Sequence, residues 1–368
     1  MNSKHITILD KYIFSQVTAA SLVILFLFII VWMAPEKLVD AVKDVFSGEL
    51  TVLQASMELF YELPKVLSQC LPISILVGAL FTFDKLSKDS ELAILRSSGL
   101  SYMRILRPVI LLGVIYFALC AYTVDQLVPW ASAKTGENSH YNEHFVYLRL
   151  NDDKTPKQGI IVSNFTQNGI KNVIVTNFKK DEYSDIVCLD NILFADYALN
   201  KDAFWILPQV TKYAIDKNGV YQKIADVKNV KILEGEDAKD IYNIMSYGTK
   251  RERAFTNLGL FEYVKLLKKK DFSDEFNFNL SKLYQRFFHP FTCVLFAILG
   301  ALLGYAPPRS VRMVGFIIAA GLLFGYYITL PAFGVLAEKS ILPPFICASF
   351  PTIVFIASIF IVKKNKDL

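Results

Sequence analysis

The fold class is decided by residues 71–124, which read LPISILVGALFTFDKLSKDSELAILRSSGLSYMRILRPVILLGVIYFALCAYTV. Apolar residues fill both ends of this stretch, and all of its charged residues lie in the insert at residues 84–108. An α-helix needs roughly 20 predominantly apolar residues to cross the hydrocarbon core of a bilayer. The two ends therefore predict membrane spans, and the insert predicts a short loop that emerges between them on one side.

The whole chain has the composition of a multi-span membrane protein. It contains 368 residues, of which 53% are hydrophobic and 14% aromatic, and its mean hydropathy is +0.37. A net charge of +5 is spread along the chain and not gathered into a basic tail, so nucleic-acid binding is not expected. Six stretches predict spans: 16–36, 64–83, 105–125, 287–306, 313–336 and 344–362. The first is expected to be retained, because no small-residue cleavage site follows it.

Basic residues in the short loops predict the orientation, since cytoplasmic loops carry an excess of Lys and Arg. With the N-terminus inside, the cytoplasmic segments hold Lys4, Lys11, Lys85, Lys88, Arg96, Arg104, Arg107, Arg309, Arg312, Lys363, Lys364 and Lys366. The opposite side holds Lys37, Lys43, Lys65 and Lys339 among seven acidic residues, Glu36, Asp40, Asp44, Glu49, Glu58, Glu62 and Glu338. Both termini are therefore predicted to be cytoplasmic, as is the insert.

A large polar block separates the third and fourth spans and is predicted to lie outside, in the periplasm of a bacterium. It contains strand-like runs such as GIIVSNF and KNVIVTNF, with turn signals at Asn168-Gly169 and Asn218-Gly219. Seven or eight short strands predict a β-sandwich or jelly roll. Cys188 is its only cysteine, so no internal disulfide is expected.

The sequence predicts four parts of the chain. They are residues 1–126, with three spans and a cytoplasmic helix at 84–99; 127–257, the β-domain; 258–286, a connecting helix and the return to the membrane; and 287–368, with three spans.

The charged insert itself has the features of a short amphipathic helix. Ser87, Asp89 or Ser90 is suited to cap its start, and Gly99 supplies a left-handed stop. Three leucines, Leu86, Leu92 and Leu95, form an apolar strip, and Glu91 lies near the N-terminus, where the helix dipole favours it. Such a helix either docks into a groove on a soluble partner or lies on the membrane surface, and the residues alone leave both alternatives open.

Six segments of the sequence are distinctive: LDKYIFSQV, EKLVD, DKLSKDSELAILRSSGLS after PISILVGALF, LYQRFFHPFTCVLFAILGALLG, PPRSVRMVGF and ILPPFICASFP. Together they resemble the LptF/LptG family of lipopolysaccharide-export permeases, and the last of them is closer to the LptG type than to the LptF type. The resemblance covers the transmembrane regions and the arrangement of six spans with one large insert, whereas the β-domain sequence is not diagnostic.

The resemblance implies a transporter subunit whose ATPase is a separate chain, an LptB-like cytoplasmic dimer. It implies that the helix after the second span is a coupling helix, with Glu91 entering the ATPase groove and Arg96, Ser98 and Gly99 completing the segment. This agrees with the absence of a GxxxxGK[ST] phosphate loop from the sequence. We therefore expect no enzyme activity, catalytic residue, metal or cofactor in this chain, and we expect it in the bacterial inner membrane.

The same resemblance implies the substrate and the remaining partners. Lys37, in the K-x-V-D stretch after the first span, matches the basic residue that in the family lies in the cavity for the phosphorylated head group of lipopolysaccharide. Membrane lipid is expected to surround the chain. Lysine suits a phosphate as a compact point charge, although a lysine at a membrane edge is also a common anchor. Three more basic residues are further candidates for binding this head group: Lys43, Lys282 and Arg286. The expected protein partners are a second LptF/LptG-type permease subunit and an LptC-like bitopic protein.

The same sequence also bears on other functional classes. A secondary transporter needs charged groups at mid-membrane, and only His289, near the end of the fourth span, approaches this. A structural scaffold of another envelope complex is the third alternative. The run HYNEH, residues 140–144, fits a zinc-peptidase pattern, but it runs into a predicted strand and no third ligand is evident. The pairs Gly300/Gly304 and Gly321/Gly325 are expected to allow close helix packing, or a moving contact between subunits.

Overall fold

The computed structural model describes most of the chain. The described residues are 8–135, 145–151, 153, 155–166, 169–180, 187–201, 204–215, 221–248, 252–305 and 313–366. The chain divides into two compact units, one formed by Met1–Thr135 with Arg253–Leu368 and the other by Gly136–Glu252.

Six helical segments in the described residues are long and apolar enough to cross a membrane, which confirms the predicted number of spans. They are α1 Ile8–Met33, α3 Val52–Lys88, Tyr102–Lys134, α9 Ser273–Gly304, α10 Met313–Glu338 and α11 Pro344–Asn365. The third segment consists of α5 Tyr102–Tyr122, a π-helical turn Thr123–Leu127 and α6 Val128–Lys134.

The remaining helices are short and connect or cover the larger elements. They are α2 Val39–Phe46, α4 Glu91–Ser97, α7 Glu236–Gly248 and α8 Asn257–Lys269, together with a π-helical turn Ala34–Leu38 and a 3₁₀ turn Glu252–Ala254. Several spans extend well past the apolar stretch that predicts them. For α3, the reason at its first end is a capping box in which Thr51 and Gln54 satisfy each other's backbone N–H groups.

The helices α3 and α9 form the centre of the membrane unit. A Cβ built on Gly300 would lie 2.2 Å from the carbonyl oxygen of Leu76, and one on Gly304 would lie 2.4 Å from that of Leu80. These two helices therefore pack at a distance that only glycine allows, as predicted for this pair of glycines. The other pair behaves differently, because Gly321 and Gly325 meet nothing within 4 Å.

The outer helices of the membrane unit leave most of their surface exposed. Within the most apolar 18-residue stretch of each helix, only 17% of α1 and 11% of α10 is buried inside the chain, compared with 78% of α3. Exposed apolar residues on the two helices include Phe26, Ile30, Ile317, Phe324 and Ile328. Lipid or another protein must cover these faces, since water would solvate them poorly.

An inserted β-domain between the third and fourth spans is confirmed. Its described strands are β1 Phe145–Leu150, β2 Pro156–Thr166, β3 Gly169–Lys180, β4 Val187–Lys201, β5 Phe204–Ile215 and β6 Tyr221–Glu234. They form one antiparallel sheet in the order β1-β2-β3-β4-β5-β6, so strands that follow each other in sequence are neighbours in space. The described part thus has six strands where the sequence pattern predicts seven or eight.

The difference arises partly in β5, where the run FWIL and the residues VTKYAI of the next run belong to one strand. Pro208, which lacks a backbone N–H, lies between them. Residues on both sides of this proline pair with β4, as in Leu199 with Ile206 and Phe194 with Thr211. The strand therefore continues past a residue that suggests a break in sequence.

The β-domain has its own apolar interior. Side chains including Ile160, Val162, Val175, Trp205 and Leu207 are fully buried, and Ile241 and Ile244 of α7 are buried as well. The indole of Trp205 donates a hydrogen bond of 3.1 Å to the carbonyl oxygen of Ala238, which ties β5 to α7. This burial stabilises the domain without any disulfide, as the single described cysteine, Cys188, is free.

Candidate functional sites

The charged insert folds as the end of one helix followed by a second, short one. The first part of the insert continues α3 as far as Lys88, and α4 spans only Glu91–Ser97. Between them Ser90 has a φ of 60°, so the backbone turns at this residue. Ser90 occupies the cap position, but its side chain makes no capping hydrogen bond. The predicted helix at 84–99 is thus divided by a sharp turn.

The end of α4 is closed by Gly99, whose φ is 86°. The N–H of Gly99 donates to the carbonyl oxygen of Arg96 at 3.0 Å, and that of Leu100 donates to Leu95 at 3.3 Å. This pair of bonds is the Schellman arrangement, which requires a left-handed residue where glycine stands. Gly99 therefore fixes the length of α4. The hydroxyl of Ser98 donates to the carbonyl oxygen of Leu95 at 2.7 Å and supports the same turn.

The apolar strip of α4 packs against its own bundle. Leu86 and Leu92 are buried in the core of the membrane unit, and Leu95 is partly buried against it. On the other side, Ala93, Arg96 and Ser97 are exposed, as is Ile94, which is 65% accessible. These residues therefore form the exposed surface of α4, and Ile94 is a candidate contact that the sequence pattern does not single out.

Two hydrogen bonds tie α4 to membrane spans. The phenol of Tyr12 in α1 donates to the carboxylate of Glu91 at 3.2 Å. The guanidinium of Arg96 donates to the hydroxyl of Tyr305 at 3.0 Å and lies 5.7 Å from the centre of that ring. Close by, Arg104 of α5 forms an ion pair with Asp10 of α1. The predicted coupling residues Glu91 and Arg96 thus contact the ends of different spans.

The carbonyl end of α9 is held by three other elements. The hydroxyl of Tyr102 in α5 donates to the carbonyl oxygen of Ala301 at 2.8 Å, and that of Ser87 in α3 donates to Gly304 at 3.4 Å. After α11, the ammonium of Lys366 donates to Leu302 at 2.8 Å and Leu303 at 3.2 Å, and also to Tyr305. The C-terminal end of a helix carries unsatisfied carbonyl groups and a partial negative charge, so these donors stabilise the C-terminal end of α9.

A second group of charges surrounds Glu62, near the start of α3. Lys37, in the π-helical turn after α1, lies 4.0 Å from the carboxylate of Glu62. Lys65 donates to the same carboxylate at 2.6 Å, and Arg253 lies 3.4 Å from each of its oxygens. Glu62 is 7% exposed, whereas the side chains of Lys37 and Lys65 are 37% and 39% exposed. We call these four residues the Glu62 cluster.

The other predicted lipid-binding residues lie outside this cluster. Lys43 forms an exposed ion pair with Asp40 at 3.8 Å. Lys282 lies over the ring of Phe278, 5.4 Å from its centre. Arg286 is buried and donates to the carbonyl oxygen of Phe255 at 2.6 Å, so it holds the segment that carries Arg253.

Three members of the Glu62 cluster, Glu62, Lys65 and Arg253, are not among the lipid-binding residues predicted from the sequence. Lys65 follows Glu62 by three residues, which places both on one face of a helix, so this pair had a local signal. Arg253 is 191 positions from Glu62, and no local pattern brings the two together.

His289, the residue closest to a mid-membrane titratable group, has hydrogen-bond partners on both ring nitrogens. Its Nδ1 lies 2.9 Å from the hydroxyl of Tyr326, and its Nε2 lies 3.2 Å from the carbonyl oxygen of Ser68. This arrangement is that of a half-buried histidine that joins three spans. The run HYNEH at 140–144 lies outside the described residues.

The β-domain contains a groove of about 580 Å³ on the face formed by β3 to β6. Its lining mixes apolar residues such as Ile174 and Phe194 with the polar residues Asp196, Thr211 and Asp226. In the described sheet, β1 and β6 each have one neighbouring strand, so both are edges. Nearly all residues of β6 are exposed or half-buried.

Comparison with known proteins agrees with these features. A family model described as lipopolysaccharide export system permease LptF/LptG matches residues 11–364. The chain is 22% identical over 383 residues to the lipopolysaccharide export system permease protein LptG of Haemophilus influenzae, covering 98% of this chain and 100% of the relative. It is 23% identical over 379 residues to LptG of Escherichia coli K12, covering 97% of this chain and 96% of the relative.

The match to the lipopolysaccharide export system permease protein LptF of Escherichia coli K12 is shorter, 25% identity over 130 residues and 35% of each chain. The predicted closeness to the LptG type is thereby confirmed. Since the family model covers nearly the whole sequence and the six spans with an inserted β-domain are present, this chain belongs to the LptF/LptG family of lipopolysaccharide export system permeases.

Proposed function

We propose that this chain is a transmembrane subunit of an ATP-driven machine that extracts lipopolysaccharide from the inner membrane of a bacterium. The chain hydrolyses no nucleotide itself, and a separate cytoplasmic ATPase dimer supplies the work. Lipid leaves the outer leaflet between this subunit and a second permease chain, and the β-domain passes it to a periplasmic bridge. Both termini and α4 face the cytoplasm in this proposal, and the β-domain faces the periplasm.

The Glu62 cluster is the observation that carries the proposal. Lys37, Lys65 and Arg253 converge on one carboxylate next to the end of the first span. Within this group of four described residues, three positive charges surround one negative charge, which suits a lipid head group that bears phosphates. In this arrangement the exposed sides of Lys37 and Lys65 bind the phosphate, while the apolar surfaces of the spans accept the acyl chains.

The geometry of α4 supports its assignment as the contact with the ATPase. The helix is short, ends at a defined glycine turn, and exposes Ile94 and Arg96. Its links to Tyr12 and Tyr305 connect it directly to the first and fourth spans. A push on α4 from a soluble partner would therefore reach two spans through side chains that already touch them.

The exposed faces of α1 and α10 support pairing with a second six-span chain. Among the six spans these two are the least buried within the described chain. The glycines Gly321 and Gly325 on α10 meet nothing within 4 Å and so offer a place where another helix approaches closely. In the β-domain, the edges β1 and β6 offer backbone groups for pairing with a similar domain or with an LptC-like bitopic protein.

Photo-cross-linking of lipopolysaccharide to the purified complex tests this function. We expect Lys37→Glu to reduce the yield of cross-linked lipid at least fivefold, because a negative charge then faces the phosphates. Lys339→Glu is the matched control: it makes the same charge change at an exposed lysine that is predicted to lie on the same side of the membrane, and it should alter the yield less than twofold. Wild-type yield from the Lys37→Glu protein would contradict the proposed contact.

Purification from native membranes tests the assembly. An ATPase and a second six-span chain should co-elute with the full-length protein. A chain that purifies alone and moves substrate in response to an ion gradient would instead support a secondary transporter, and one that binds no lipid would support a scaffold.

A further inference from the structure

The Glu62 carboxylate occupies the position where an anionic ligand would be expected in its cluster. It lies within 4.0 Å of Lys37 and within 3.4 Å of Arg253, and it accepts a hydrogen bond of 2.6 Å from Lys65. A buried carboxylate needs a counter-charge, but one cation is enough to neutralise it. Arg253, the least exposed of the three cations, can supply that counter-charge, so the burial of Glu62 does not explain the presence of Lys37 and Lys65.

The members of the cluster differ in how far they reach the surface. The side chain of Glu62 is 10% exposed, and that of Arg253 is 18% exposed. The lysines are more than a third exposed. A ligand that approaches from the surface would meet the lysines first and would find their ammonium groups already directed toward Glu62.

We infer that Glu62 is an internal counter-anion that competes with the phosphate of the lipid for Lys37, Lys65 and Arg253. This inference rests on the proposed function and adds a regulatory element to it. When phosphate arrives, the lysines turn from Glu62 to the ligand, and when the lipid is driven onward, the carboxylate takes the cations back. Glu62 thereby weakens retention of the phosphate and favours release, which an exporter needs at every cycle.

The competing interpretation is that Glu62 only holds the cations in place for the ligand. The two alternatives predict opposite effects of removing the negative charge. If Glu62 competes, its loss leaves three cations for the phosphate and slows release. If Glu62 only positions, its loss lets the cations separate by mutual repulsion and weakens binding.

The test measures the dissociation of lipid from the full-length chain purified with its co-eluting partners. Two probes are used, a lipopolysaccharide with both lipid A phosphates and the same lipid after enzymatic removal of the phosphates. For Glu62→Gln we expect the phosphorylated lipid to dissociate about fivefold more slowly than from wild type, with the dephosphorylated lipid unchanged. Glu58→Gln is the control, since Glu58 is exposed and lies about one turn earlier in α3; its rates should stay within twofold of wild type.

Glu62→Asp keeps the charge but withdraws it by one methylene, so its dissociation rate should fall between those of wild type and Glu62→Gln. It also serves where the glutamine variant does not fold. Unchanged or faster release of the phosphorylated lipid from either variant overturns the inference. Failure of the proposed function is a separate result, seen when wild-type protein releases both lipids at the same rate.

Discussion

Tyr12 in the first span donates a hydrogen bond of 3.2 Å to the carboxylate of Glu91 at the start of α4. This contact crosses 79 positions of sequence and joins the residue proposed to meet the ATPase with a helix whose surface is mostly exposed. The position of α4 is therefore linked to that of α1 by a polar contact that breaks and reforms readily, since both groups are exposed to solvent. Two predictions concern this pair.

Reversing the charge of Glu91 should remove the ATPase from the complex. We expect Glu91→Lys to lower the amount of co-purified ATPase at least tenfold, because a cation then replaces the anion proposed to enter the groove. Asp89→Lys is the matched control, as Asp89 ends α3 just before the turn and lies outside α4. Quantitative gel densitometry after affinity purification measures both, and equal loss in the two variants would contradict a specific role for Glu91.

Removing only the hydroxyl of Tyr12 should leave binding of the ATPase intact while it lowers the export of lipid. We expect Tyr12→Phe to retain the ATPase within twofold, because Glu91 keeps its charge. Export of lipid per ATP hydrolysed should fall by roughly threefold to fivefold, consistent with the loss of about 1 kcal/mol in one hydrogen bond. Parallel assays of ATP hydrolysis and lipid release in proteoliposomes measure this ratio, and an unchanged ratio would argue against transmission through Tyr12.

The two glycine pairs should respond differently to alanine. Gly300→Ala places a methyl group 2.2 Å from the carbonyl oxygen of Leu76, so α3 and α9 must separate. We expect a loss of about 3 kcal/mol in folding stability or outright misfolding. Gly321→Ala, which meets open space, should change the stability of the chain by less than about 0.5 kcal/mol. Thermal survival of the monodisperse peak in size-exclusion chromatography distinguishes the two.

Lys366 should stabilise the membrane unit by capping α9. Replacing it with methionine leaves the carbonyl groups of Leu302 and Leu303 without this cationic donor. Hydrogen bonds to charged groups contribute about 1.5–3 kcal/mol, so the midpoint of thermal unfolding should fall by several degrees. Lys364→Met, two residues earlier and exposed, serves as the control. A similar midpoint in both variants would mean that the contact contributes little.

The fold was largely predictable because long apolar runs have few alternatives to a transmembrane helix. The bounds were less predictable, since helices continue beyond the hydrocarbon where hydropathy gives no signal. The span expected at 64–83 belongs to the helix Val52–Lys88. In the β-domain, Pro208 suggests the end of a strand, but β5 continues past it, because residues on both sides of the proline pair with β4.

The candidate sites were predictable only in part. Motif resemblance pointed to Lys37 and Glu91, whose neighbours in sequence are distinctive. Their partners in space were not evident, because Arg253 and Tyr12 reach them through tertiary packing. Conversely, Arg286 looks like a surface cation in sequence, yet it is buried and bonded to the backbone of Phe255.

One uninterrupted helix, α3, carries Glu62 near its beginning and leads at its end into the turn before Glu91. At 1.5 Å per residue, the stretch from Glu62 to Lys88 is about 39 Å long. A tilt of a few degrees at one end of such a rod displaces the other by a few ångströms without any change in secondary structure. Pro64 and Pro72 are the positions in α3 that lack an N–H for the helical ladder. Bending of α3 would concentrate at these two prolines, which lie nearer to Glu62 than to Glu91 along the chain.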